Sequence, residues 1–203
     1  EAMGVAFGIE NVVINTHKGL HKAPEHLARN PFGALPVLAL DGGVYIRESR
    51  AIIDYLEDAF PENPLFSTDL SLRAQQRDME RICDVRLAAY LGVWVHVYKS
   101  PIGLPPDPQR AEQLEEQMQP AFAFLDEVLA DGRAFVCGGA PSPADCTLQG
   151  FLNFMRFPGK NLIAAYPDLP RWDEAYRSRP LVAAIIGACA ATFFTRISAC
   201  IAL

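Results

Sequence analysis

The rhythm of apolar and polar positions changes partway along the chain. Up to about residue 60 the apolar positions come in short blocks. Glu1 to Phe7 reads as the end of a helix, with Gly8 as its C′ residue. Asn11-Val12-Val13-Ile14-Asn15 is a β-branched run of strand type, followed by a polar loop from Thr16 to Lys22. Pro24 suits the first turn of a short helix ending near Arg29. Leu35–Leu40 and Val44–Arg47 alternate as strands, and Asp41-Gly42-Gly43 between them predicts a hairpin turn. Ser49 is of N-cap type and heads a helix that ends before Pro61, with Ile52, Tyr55, Leu56 and Ala59 on one face.

From Leu70 onward the period is helical throughout. The pattern predicts one long helix over Ser71–Lys99, broken by the proline-rich stretch Ser100–Asp107. Further helices are expected over Pro108–Ala130, Pro143–Phe157, Pro170–Ser178 and Leu181 to about Thr192. In the first of these, Leu114, Met118, Phe122 and Leu125 form an apolar stripe. The architecture expected is therefore an α/β unit of thioredoxin-like type over residues 1–61, a linker over 62–69 and an all-helical domain over 70–203.

Composition removes several function classes. A formal net charge of −6 argues against a nucleic-acid partner, which calls for a basic face. The five cysteines (Cys83, Cys137, Cys146, Cys189 and Cys200) show no C-x-x-C spacing, and neither they nor the four histidines form a zinc-type cluster, so reduced thiols, a cytoplasmic setting and no metal are expected. Glu1-Ala2-Met3 lacks the basic opening of a signal peptide. The uncharged stretch Leu181–Thr195 is shorter than the ~20 residues of a spanning helix, so no membrane partner is expected.

Two features of the first unit carry chemistry. Pro36, at the head of a strand, cannot donate a ladder hydrogen bond. A cis Leu35–Pro36 bond would turn the chain and leave the Leu35 backbone to pair with an extended ligand, whereas a trans bond would make it an ordinary loop proline. Glu48-Ser49 stands at a helix start, where free N–H groups and the positive dipole end suit a carboxylate while Glu48 suits an ammonium. An α-amino-acid head group carries both charges. The alternative is a plain cap beside a solvated glutamate.

The stretch HKAPEHLARNPFGALPVLALDGGVYIRESRAIIDYLEDAFP resembles the N-terminal domain of cytosolic glutathione transferases, most closely the phi-type and related bacterial sequences. FVCGGAPSPADCTL is similar to the helix-capping segment of that family's helical domain, where Ser142 and Asp145 have capping-box spacing, and YPDLPRWDEAYRSRP resembles its later helices. The resemblance implies that Pro36 is the family's cis-proline, that the Leu35 backbone pairs with the cysteinyl part of glutathione, and that Glu48 and Ser49 hold the γ-glutamyl ammonium and carboxylate. It also implies that Lys22 approaches the glycyl carboxylate with His21 lining the loop, and that the protein forms homodimers. Ala34 stands where phi-like members often carry a polar glutamine, at the cost of one ligand hydrogen bond, ~1 kcal/mol.

In the family a strand and a loop bearing the catalytic Ser, Tyr or Cys precede the first helix. This sequence opens within that helix, so the thiol-activating group is expected upstream of Glu1, and no residue here is assigned to it. Tyr90, Trp94 and Tyr98 recur every four residues on the long helix, as either bundle core or the wall of a second-substrate pocket. The function implied is transfer of the glutathione thiolate to a small apolar electrophile, with no metal. The competing readings are another glutathione-dependent reaction (dehalogenation, ether cleavage, isomerisation or thiol transfer) and a noncatalytic interaction module of the same fold.

Overall fold

A computed structural model describes residues 12, 14, 18–62, 64–184 and 186–187. The expected helix over Glu1–Phe7, most of the strand over Asn11–Asn15, and the tail with Cys189 and Cys200 lie outside these residues. The chain divides into two compact units, Glu1–Pro64 and Leu65–Leu203.

In the first unit a 3-10 turn over Leu20–Lys22 follows Gly19, whose φ of 71° is left-handed. Helix α1 (Pro24–Leu27) is a single turn with proline at its start. Strands β1 (Leu38–Leu40) and β2 (Val44–Ile46) pair antiparallel in the register Leu38–Ile46, Ala39–Tyr45 and Leu40–Val44. The connection Asp41–Gly43 needs φ of 75° at Gly42 and 79° at Gly43, which explains two successive glycines. Both strands are shorter than the sequence pattern predicts. Helix α2 (Ser49–Ala59) follows. Its expected apolar face is only partly covered: Ile52 and Leu56 are half-buried, while Tyr55 and Ala59 are exposed.

The second unit holds the dense core. Helix α3 (Leu70–Cys83) starts at Asp69, whose side chain accepts the Leu72 N–H at 2.7 Å. It does not run unbroken to Lys99. A π-helical turn over Asp84–Ala88 intervenes before α4 (Ala89–Lys99). Cys83, Leu87, Leu91, Trp94 and Val95 all remain inward across that turn, so apolar spacing alone reads the stretch as one regular helix. Helix α5 (Pro108–Leu129) buries the predicted stripe of Leu114, Met118, Phe122 and Leu125. Helices α6 (Pro143–Met155) and α7 (Leu169–Arg177) complete the bundle, and residues 180–184 are helical beyond it. α3 packs on α6, α4 on α5, and α7 on both α5 and α6.

The start of α6 is the best-satisfied polar site in the unit. The fully buried Asp145 carboxylate accepts the Ser142 N–H, the Ser142 hydroxyl and the Val136 N–H, each at 2.8 Å. Those bonds tie the Phe135–Val136 segment to the helix it precedes and satisfy backbone donors that would otherwise be orphaned. Between α6 and α7, the buried Asp173 carboxylate accepts the Gln149 amide at 3.1 Å and pairs with Arg156.

Candidate functional site

The loop from Arg29 to Leu35 is organised by side chains that reach its carbonyl groups. Asn30 N–H closes on the His26 carbonyl at 2.8 Å, and Gly33 N–H closes on the Asn30 carbonyl at 2.9 Å, a turn with Pro31 in the favoured second position. The Asn30 side chain spans this turn: Oδ1 accepts the Phe32 N–H at 3.2 Å and Nδ2 donates to the Ala34 carbonyl at 2.9 Å. His26 Nε2 donates to the same carbonyl at 3.0 Å. A carbonyl oxygen only accepts, so Nε2 carries the proton. Lys22 Nζ donates to the Phe32 carbonyl at 3.0 Å, and Arg47 Nε donates to the Arg29 carbonyl at 2.9 Å.

Gly33 is where this packing is tightest. Its φ is 61°, and a Cβ there would lie 2.6 Å from Lys22 Nζ and 2.9 Å from the His21 carbonyl. Glycine is required on both counts. The His21–Lys22 segment and the loop leading to Leu35 are therefore in direct contact. Lys22 is exposed, and its ammonium has two further donors beyond the one given to Phe32. His21 is half-buried, and its Nδ1 is buried without a partner among the described residues.

Leu35 and Pro36 follow, both exposed, and the peptide bond between them is cis. Beyond the hairpin, Arg47 leads into Glu48. Glu48 has the extended backbone of an N-cap (φ −96°, ψ 132°), and its carbonyl accepts the Ile52 N–H at 2.9 Å. Ser49 is thus the first helical residue and not the cap expected from its type. The Glu48 side chain makes no capping hydrogen bond at this helix start. The Glu48 carboxylate and Ser49 hydroxyl stand exposed at the helix start, with the Ser49 amide among the first-turn donors that have no intrahelical partner.

In the second unit the aromatic series separates. Trp94 is fully buried, stacks on Tyr98 with ring centroids 5.0 Å apart, and donates Nε1 to Glu115 at 2.9 Å. Lys160 pairs with Glu115 at 2.6 Å and sits 5.4 Å over the Tyr98 ring. Tyr90 is half-buried against the core, while Tyr98 is 37% exposed. Trp94 therefore serves the core, and only its neighbours present surface. Burial pushes the Cys83 thiol far up and raises Cys137 to about 11, so neither is an activated thiol.

Residues 7–64 match the N-terminal domain of glutathione S-transferase, and residues 107–178 match its C-terminal domain. Glutathione S-transferase 2 of Saccharomyces cerevisiae is 30% identical over 181 residues, covering 86% of this chain and 76% of that protein. The chain belongs to the glutathione S-transferase family. A probable glutathione S-transferase of Oryza sativa is 27% identical over 201 residues, covering 90% of this chain and 84% of the relative. A solved glutathione S-transferase-I bound with lactoylglutathione has 26% identity and a TM-score of 0.73, covering 88% of this chain and 86% of that one. The fold is accordingly the family's: a thioredoxin-like unit followed by a helical one. Among the described residues, no helix is long and apolar enough to cross a membrane.

Sequence reading picked out Leu35, Pro36, Glu48, Ser49, His21 and Lys22 but passed over His26 and Asn30. His26 lies in α1 and Asn30 beyond its end, and the available signal was the turn-type run Asn30-Pro31-Phe32-Gly33.

Proposed function

We propose that the protein is a glutathione transferase that binds glutathione in its first unit and transfers the thiolate to a small apolar electrophile. The observation that supports this reading is the start of α2, where Glu48 and Ser49 are exposed and the Glu48 side chain makes no capping bond. Glu48 takes the γ-glutamyl ammonium. The Ser49 hydroxyl and amide take the adjacent carboxylate, helped by the positive end of the helix dipole. The Leu35 backbone pairs with the cysteinyl part in strand fashion. Lys22, anchored by one bond to the Phe32 carbonyl, directs its remaining donors to the glycyl carboxylate, with His21 beside it.

Holding the tripeptide at both ends fixes where its sulfur lies, which converts a bimolecular attack into a positioned one. An unperturbed thiol has a pKa near ~8.5, so only a few per cent is thiolate at neutral pH. Each unit by which the site lowers that value corresponds to ~1.4 kcal/mol of preferential binding of the thiolate. Tyr98 and Tyr90 border the electrophile site in this reading, and the thiols of the second unit stay reduced in the cytoplasm. The protein acts as a homodimer, with exposed Val85 and Val93 on the stretch from α3 to α4 supplying apolar contact surface.

The test is glutathione binding and thiol addition to a generic aromatic electrophile, followed with purified protein at varied glutathione. The reading expects saturable glutathione binding, and turnover where the thiol-activating group is present, both weakened by Glu48→Gln. Absent glutathione binding, or binding indifferent to Glu48, refutes it. Sedimentation at micromolar concentration should give twice the chain mass, and a monomer refutes the dimer.

A further inference from the structure

We propose that His26 and Asn30 are positioning residues for the cysteinyl part of glutathione, acting through the Ala34 carbonyl; this rests on the glutathione site proposed above. A peptide unit is planar, so the Ala34 carbonyl and the Leu35 N–H point in opposite directions from one rigid plate. Holding the oxygen sets the direction of the N–H. Two donors hold it, His26 Nε2 at 3.0 Å and Asn30 Nδ2 at 2.9 Å. Both side chains are buried, His26 5% and Asn30 1% exposed, although Ala34, Leu35 and Pro36 are themselves exposed.

The same oxygen could have been left to water. Instead two buried polar residues converge on it, and they are the only buried polar or charged side chains among the described residues of the first unit. Asn30 does two jobs with one amide. Its oxygen closes the turn on Phe32, and its nitrogen clamps Ala34, so the amide cannot be flipped without placing two donors and two acceptors face to face. His26 is locked at the other side because its own carbonyl caps the helix end through Asn30 N–H. The plate that presents Leu35 to the ligand is thus oriented before the ligand arrives, which lowers the ordering cost of binding.

The experiment measures the glutathione Kd by titration calorimetry, and the glutathione and electrophile KM values with kcat, for wild type, Asn30→Asp, Asn30→Ala, His26→Leu, His26→Gln and Glu48→Gln. Asn30→Asp keeps the acceptor for Phe32 but replaces the donor to Ala34 with a second acceptor. Asn30→Asp, Asn30→Ala and His26→Leu should each raise the glutathione Kd and KM about fivefold or more. Electrophile KM and kcat at saturating glutathione should move less than about twofold. His26→Gln, which returns an N–H donor, should recover most of the loss. A role in folding alone would lower thermal stability and active fraction without splitting the two KM values. Should Asn30→Ala not fold, Asn30→Asp and the His26 pair carry the test. Wild-type glutathione affinity in Asn30→Asp and His26→Leu, with Glu48→Gln weakened, overturns this proposal alone. No glutathione binding by wild type, or none lost in Glu48→Gln, overturns the site reading and this proposal with it.

Discussion

The two units are held together by different means. Among the described residues, every buried apolar side chain lies in the second unit, from Phe66 to Tyr176. The buried side chains among the described residues of the first unit are His26 and Asn30, and both bond to backbone carbonyl or amide groups of one loop. Among the described residues, the second unit shows dense apolar burial, and in the first, polar bonds organise the loop from Arg29 to Leu35. Substitutions in the helical unit should read out as stability, and substitutions around residues 22–49 should read out as ligand affinity.

The largest expected effect breaks the core. Trp94 is fully buried and donates to Glu115, so Trp94→Ala should cost ~3–5 kcal/mol in denaturant unfolding. A loss under ~1 kcal/mol would show that the bundle does not depend on it. Next comes the start of α6. Asp145→Ala strands the buried Ser142 and Val136 amides, each at ~1–3 kcal/mol, and should lower the unfolding midpoint nearly as far. Asp145→Asn should recover only part, because its NH2 group must face one of those donors.

A smaller effect concerns pH. Cys137, raised by burial from its ordinary 9.0 to about 11, favours the neutral thiol in the folded state. Its contribution to stability is full below pH 9.0 and is lost as pH rises toward about 11. Alkylation of Cys137 by iodoacetamide in the folded protein should accordingly be slow at pH 8 and climb only toward about 11. Fast alkylation at pH 8 would contradict its burial. The smallest effect is at Asp131, held down to about 2 by hydrogen bonds from Arg133. A depressed carboxylate stabilises above its unfolded value and loses that contribution as pH falls through about 2, so Asp131→Asn should lower the unfolding midpoint at neutral pH and not below about 2, and only slightly because the pair is exposed to solvent.

The same contrast explains what the sequence made legible. The α5 stripe and the Ser142–Asp145 spacing were readable because a 3.6-residue period and a three-residue cap interval are local signals. The π-helical turn at Asp84–Ala88 was not, because it leaves the inward series of Cys83, Leu87 and Leu91 in place. Four-residue aromatic spacing put Tyr90, Trp94 and Tyr98 on one face but did not say that Trp94 lies wholly inside. In the first unit, Glu48-Ser49 and Leu35-Pro36 were readable as chemistry, whereas the cap fell on Glu48 because backbone geometry decides that position. His26 and Asn30 escaped because side-chain bonds to a carbonyl four and eight residues away leave no periodic trace.

Affinity for glutathione should reside at the start of α2, and stability in the bundle. The direct measurement is a paired one: glutathione Kd by titration calorimetry and the unfolding midpoint, each for wild type, Glu48→Gln and Ser49→Ala. Both variants should raise Kd, Glu48→Gln by about tenfold for a lost charge-assisted bond, with midpoints unchanged. Unchanged Kd in both variants, or a Kd that rises only in step with a falling midpoint, would contradict it.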